Sequence, residues 1–198
     1  GGFAMEVLDL LQDIHQGSSF NINENVFFIG DFSEHKKLLG LNVVKRTAVD
    51  YSNVEVVIAI GDAAVRQKVV DELPKETKYG KIIHPSAFIS PSANVGNDVI
   101  ISHHCVVSSQ VTISDHSHLN YHTCIGHETH MDEYFTSAPG VKISGCCKIG
   151  ENVYFGTNSS TIQGITVNSN IKVGIGGVVM NSLNKSGTYL FNPTKKIL

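Results

Sequence analysis

His127 and Glu128, adjacent in the stretch Ile125-Gly126-His127-Glu128-Thr129-His130-Met131-Asp132, are the residues whose types best suit proton transfer. An imidazole changes charge near neutral pH and can take a proton from an attacking amine or hydroxyl. A neighbouring carboxylate favours the protonated ring. Such a pair works only if the chain turns it outward and leaves space beside it. The elements that must do so are visible in the surrounding spacing.

From Ile89 a step of six runs through Val95, Ile101, Val107, Ile113, Leu119, Ile125, Met131, Ser137, Ile143, Ile149, Phe155, Thr161, Val167, Val173 and Val179. Fourteen of these sixteen are large and apolar, too many for chance. Six steps of an α-helix advance it by about 600°, so a helix cannot keep them on one face. A short strand and a tight corner can. Three such units make a triangular coil of about 18 residues, and coils stack to bury the aliphatic positions. Stacking puts Ser109, His127 and Gly145 in one column, and His104, His122 and Gly140 in another. Gly145 then leaves open space and a backbone N–H beside His127, the kind of donor a tetrahedral oxyanion needs.

The first eighty residues carry a different pattern. Val7, Leu10, Leu11 and Ile14 predict an amphipathic helix over Phe3 to His15. Val26 to Ile29 and Val54 to Ile60 read as buried strands, ending at Gly30-Asp31 and Gly61-Asp62. A second helix begins at Ala63 with Val65, Val69, Val70 and Leu73 on one side and stops at Pro74, and Lys81 to Ile83 is one more candidate strand. Strands alternating with helices imply a small Rossmann-like parallel sheet, with ligands beyond the carboxyl ends of its strands. Gly1, Gly2, Gly30, Asp31 and Gly61 form the candidate rim, and the first helix N-terminus could hold a phosphate. Ordinary strand-ending turns fit these glycines equally well, because no full dinucleotide fingerprint is present. The expected architecture is this α/β domain over residues 1–83, then a β-helix over 84–198.

Composition narrows the partners. A net charge of -3 over 198 residues gives no case for nucleic acid or an anionic membrane. No apolar run approaches the roughly 20 residues of a membrane span, and no secretory leader is seen at the start. Cys105, Cys124, Cys146 and Cys147 lack framework spacing, which suits reduced thiols in the cytoplasm.

The repeat resembles the hexapeptide left-handed parallel β-helix. With the α/β part in front, the chain resembles the sialic-acid O-acetyltransferase and nucleotide-amino-sugar N-acetyltransferase family. The residues carrying this are Gly1-Gly2-Phe3-Ala4, Phe28-Ile29-Gly30-Asp31-Phe32, Ala59-Ile60-Gly61-Asp62, His84-Pro85-Ser86-Ala87 and Gly126-His127-Glu128. The resemblance implies transfer of acetyl from acetyl-CoA to a nucleotide-linked amino sugar, without metal or covalent enzyme intermediate. His127 would be the general base, Glu128 its supporting carboxylate and Gly145 the oxyanion donor. Gly1, Gly2, Phe3, Gly30, Asp31 and Gly61 would hold the sugar nucleotide. Thr136, where some members have a histidine, together with Gly145 and Thr157, would meet coenzyme A. The ending Asn192-Pro193-Thr194-Lys195-Lys196 resembles a tail packed by the pantetheine arm. The family also implies a homotrimer with sites between subunits, and an opening strand with part of a Gly-x-Gly loop ahead of Gly1.

Three rival readings remain at this point. One is O-acetylation of a sugar or of sialic acid. A second is a zinc enzyme like the γ-class carbonic anhydrases, suggested by seven histidines between His103 and His130 and the spacing of His122 and His127; no histidine stands where a third ligand is expected. The third is a β-helix scaffold without activity.

Overall fold

The computed structural model describes residues 1–30 and 37–191. Its larger part is a left-handed parallel β-helix built of two-residue strands joined by tight corners. Each strand pairs with the one a coil away, so Val107 aligns with Ile125 and Ile125 with Ile143, while Met131 aligns with Ile149. Three parallel sheets of seven, six and five strands form the faces of a prism. Face one starts at Ile82–Ile83 and includes His118–Leu119 and Thr136–Ser137. Face two starts at Phe88–Ile89 and includes Cys124–Ile125, and face three starts at Asn94–Val95 and includes His130–Met131.

The six-residue aliphatic set points into the prism. Val107, Leu119, Met131, Phe155, Val167 and Val173 are fully buried, each side chain contributing roughly 1.5–3 kcal/mol by leaving water. The two polar positions are bonded rather than orphaned. Ser137 Oγ meets Thr123 Oγ1 at 2.9 Å and takes the Asn120 N–H, while Thr161 Oγ1 takes the Ser144 N–H at 3.0 Å. The stack is longer than the repeat read from Ile89 to Val179. Ile82–Ile83 pairs with Ile100–Ile101 and therefore opens the solenoid rather than joining the small sheet; Gly187–Tyr189 closes it.

The N-terminal region differs in detail from expectation. Helix α1 spans Gly2–Ile14 and buries Val7, Leu8 and Leu10. Phe28–Ile29 is a strand but not a buried one, since its residues are half-buried and exposed. It pairs in parallel with Leu41–Val44, a strand the sequence reading did not separate, which Lys37–Leu38 flanks antiparallel. Glu55–Val56 pairs instead with Lys78–Tyr79, forming a second small sheet. In helix α2 (Ala63–Glu72) and its C-cap, Val69, Val70 and Leu73 pack inward as expected, but Val65 is half exposed and Arg66 is completely buried.

The reason is what α2 packs on. Both helices lie over face one, whose outward residues Ile82, Ile100, His118 and Thr136 are buried beneath them. The equivalent outward residues of face two, such as Phe88 and Val178, stay exposed. His127 sits at the corner between faces two and three, across the prism from the covered face.

Candidate active site

The corner carrying His127 is made by a left-handed backbone. Glu128 has φ 57°, a conformation costing about 1–2 kcal/mol for an L-residue. Bonds between coils hold it: Glu128 N–H donates to the Ser109 carbonyl at 2.9 Å, and Cys146 N–H donates to the His127 carbonyl at 2.7 Å. The turn brings the Glu128 carboxylate back to its neighbour, with Oε2 2.9 Å from His127 Nδ1. An ionised carboxylate only accepts, so Nδ1 carries a proton, and in the neutral ring Nε2 is then the nitrogen with the lone pair. Both side chains are about half exposed, which leaves the pair accessible.

Gly145 stacks one coil beyond His127, as the column spacing predicts. The space beside it is not open, however: a Cβ there would lie 2.7 Å from His127 Nε2 and 2.8 Å from Cε1. The imidazole itself fills the place a side chain would take. Gly145 is buried beneath the ring, and its N–H donates to no acceptor among the described residues. Gly126 is required by the same crowding, because its Cβ would stand 2.4 Å from the Gly145 nitrogen.

The remaining candidates gather elsewhere. Gly1 and Gly2 are exposed at the start of α1, where no side chain caps the helix and no acidic residue occupies the first turn. Phe3 packs against His118 with ring centroids 5.0 Å apart. Arg66 Nη1 reaches His118 Nδ1 at 3.2 Å and the Gly61 carbonyl at 3.5 Å. Phe3 and Gly61 are thereby joined through His118 on face one. Gly30 ends the Phe28–Ile29 strand, its N–H on the Val44 carbonyl. Asp31 and the tail from Asn192 lie outside the described residues.

Thr136 does not join His127: it is buried on face one, and its hydroxyl already accepts from Arg66 Nη2 at 2.8 Å. Thr157, half-buried, lies at the corner between faces one and two. His122 does not approach His127 either; its ring stacks on His104, centroids 5.2 Å apart.

Two side-chain groups that position these pieces escaped the sequence reading. Arg66 uses all five N–H groups, on the carbonyls of His116, Ile60 and Tyr134, on His118 Nδ1 and on Thr136 Oγ1. Burial pulls its pKa down to about 10. Because guanidinium only donates, His118 accepts at Nδ1 and is neutral. Burial, with the Arg66 charge second, holds it well below the usual imidazole range. In the other group, Asp13 Oδ2 lies 2.9 Å from Nε2 of both His84 and His103, whose rings stack 3.7 Å apart. Ser86 N–H donates to His84 Nδ1, so His84 Nε2 bears a proton and donates to Asp13. The tautomer fits a hydrogen-bonded tie between α1 and the first coils. The sequence signal for Arg66 was a charged residue on the same helix face as Val69, Val70 and Leu73, whereas exposed Asp13 gave none.

With that geometry established, known proteins give a consistent likeness. Residues 1–73 match the PglD N-terminal domain family. The GDP-perosamine N-acetyltransferase of Escherichia coli O157:H7 is 26% identical over 172 residues, 83% of this chain and 76% of that protein. The acetyltransferase domain of PglB from Neisseria gonorrhoeae FA1090, solved with acetyl coenzyme A, superposes with a TM-score of 0.87 at 23% identity, covering 100% of this chain and 95% of its own. PerB from Caulobacter crescentus, solved with CoA and GDP-perosamine, gives 0.83 at 25% identity over 98% and 92%. From the helix that follows Gly1 to the last coil, the chain resembles the sialic-acid O-acetyltransferase and nucleotide-amino-sugar N-acetyltransferase family of β-helix enzymes.

Proposed function

We propose that this protein transfers acetyl from acetyl-CoA to the amino group of a nucleotide-linked sugar, with His127 as general base. The observation that carries the reading is the His127 ring, fixed at Nδ1 by Glu128 and laid with Nε2 against the side-chain-free Gly145. As the amine nitrogen bonds to the thioester carbonyl carbon, its proton passes to Nε2. In this reading the Gly145 N–H, which has no acceptor among the described residues, donates to the oxygen that gains charge. Collapse breaks the carbon–sulfur bond and the departing thiolate takes up a proton, which the imidazolium can return. The likeness to GDP-perosamine N-acetyltransferases supports a nucleotide-linked amino sugar as acceptor and coenzyme A as carrier.

The rim around Phe3 and Gly61 belongs to face one, whereas His127 belongs to the opposite corner. One chain therefore does not bring its own rim to its own base. A homotrimer, with the rim of one subunit facing His127 of the next, joins them and encloses coenzyme A between prisms, Thr157 and Gly145 included.

The test is thiol release from acetyl-CoA in the presence of a panel of nucleotide-linked amino sugars and sialic acid. We expect turnover with an amino sugar and a fall of about 10²–10⁴-fold in His127→Ala. Undiminished turnover by that variant overturns the base, and preference for sialic acid overturns N-acetylation.

A further inference from the structure

We infer that His127, Glu128 and Cys146 form a binding site for a soft divalent cation, and that an ion bound there removes the proton-accepting nitrogen of His127. Cys146 stacks one coil beyond Glu128 and shares its left-handed corner, with φ 59° against 57°. Its Sγ lies 3.9 Å from His127 Nδ1 and 3.7 Å from Glu128 Oε2, and the nitrogen and oxygen are 2.9 Å apart. One tetrahedral Zn²⁺ with bonds of about 2.0–2.3 Å sets those separations at about 3.6, 3.5 and 3.3 Å. Each pair is thus within roughly 0.4 Å of what a single ion requires. Imidazole nitrogen, carboxylate oxygen and thiolate sulfur are the donors zinc takes, and soft sulfur selects against Mg²⁺ or Ca²⁺. All three groups reach solvent, which leaves an entry path and a fourth position for water.

Without an ion, partial burial and then the Glu128 charge push the Cys146 thiol up, so it stays S–H and donates to Oε2. Binding forms a metal–sulfur bond as the thiol proton leaves to solvent. A metal–nitrogen bond forms at Nδ1 as the ring proton moves to Nε2. Net, one proton is released and nothing is oxidised or reduced. A ring protonated at Nε2 and ligated at Nδ1 cannot accept the proton of an attacking amine. The ion is therefore an inhibitor of the dyad, not a cofactor of the transfer. The other thiols lack this setting: Cys105 and Cys147 are fully buried, and among the described residues Cys124 Sγ has a polar contact only with the His122 carbonyl.

The inhibition rests on His127 being the base; the binding does not. Full-length protein titrated with Co²⁺ should take up about one ion per chain and show thiolate-to-cobalt absorption that Zn²⁺ discharges. Cys146→Ser should abolish that absorption and weaken Zn²⁺ binding at least about tenfold, whereas Asp13→Asn, at the other histidine cluster, should not. Zn²⁺ should also stop wild-type turnover reversibly, with chelator restoring it, and Cys146→Ser should need at least about tenfold more Zn²⁺ for the same inhibition. Absence of the band, or its survival in Cys146→Ser, overturns the site. Cys146-dependent binding that leaves turnover untouched overturns the inhibition. A band lost in Cys146→Ser, together with a fully active His127→Ala, leaves the site standing and removes the base.

Discussion

The imidazole of His127 occupies the place a side chain on Gly145 would need, for a Cβ there would meet Nε2 at 2.7 Å. The two residues sit a full coil apart in sequence and are in contact only because coils stack in register. Gly145→Ala should therefore tilt the ring away from its seat while leaving the prism intact, since the far end of an exposed side chain yields easily. We expect turnover to fall about 10²-fold, the cost of misplacing a catalytic group by about 1 Å, with the unfolding midpoint nearly unchanged.

Gly126→Ala should behave in the opposite way. Its Cβ would press on backbone, 2.4 Å from the Gly145 nitrogen and 2.7 Å from the Ser144 carbonyl carbon, and neither can step aside. Overpacking of that kind destabilises by about 1–3 kcal/mol. Denaturant melts of the two glycine variants, set beside their turnover numbers, should separate a seat for the base from a spacer between coils.

If rim and base come from different subunits, two inactive variants should rescue one another. His127→Ala keeps its rim, and Gly61→Phe keeps its base; among the described residues, only its chain neighbours come within 4 Å of a Cβ at Gly61, so the ring would enter the open rim. Coexpressed in equal amounts, they should give about a quarter of wild-type activity, the statistical share of sites pairing an intact rim with an intact base. No recovery in mixed trimers would place the whole site within one chain.

His118 predicts a pH dependence of stability. Its folded pKa is depressed by burial, so as pH falls the unfolded chain binds the proton first. The contribution is flat above the unfolded value near 6.5. Below it, stability declines by up to about 1.4 kcal/mol per pH unit until the folded group also titrates. His118→Gln keeps an acceptor for Arg66 and has nothing to protonate. Its stability should fall less steeply than wild type between pH 6.5 and 5 in denaturant titrations.

Arg66 itself is a test of how the N-terminal region is held. Arg66→Ala strands the Thr136 hydroxyl and several buried carbonyls, each costing about 1–3 kcal/mol when left unpaired. We expect limited proteolysis to release the N-terminal helices from the variant while the β-helix resists.

What the sequence determined alone was local or strictly periodic. A six-residue aliphatic repeat admits few shapes, and so the prism, its inward residues and the column joining His127 to Gly145 could all be read from it. The His127-Glu128 pair was equally legible, because its two members are neighbours in the chain. Tertiary structure decided everything that depended on distant segments meeting. Arg66 was not singled out in the sequence, yet it is buried because α2 lies on face one, where carbonyls and His118 are available to satisfy its five donors. Thr136 could be matched to a coenzyme contact by position, but only the fold shows its hydroxyl taken by that arginine. The place of Cys146 beside the dyad also follows from coil stacking rather than from chain distance. Periodicity fixes what repeats along one chain, whereas the partners of a unique side chain are set by whichever surface closes over it.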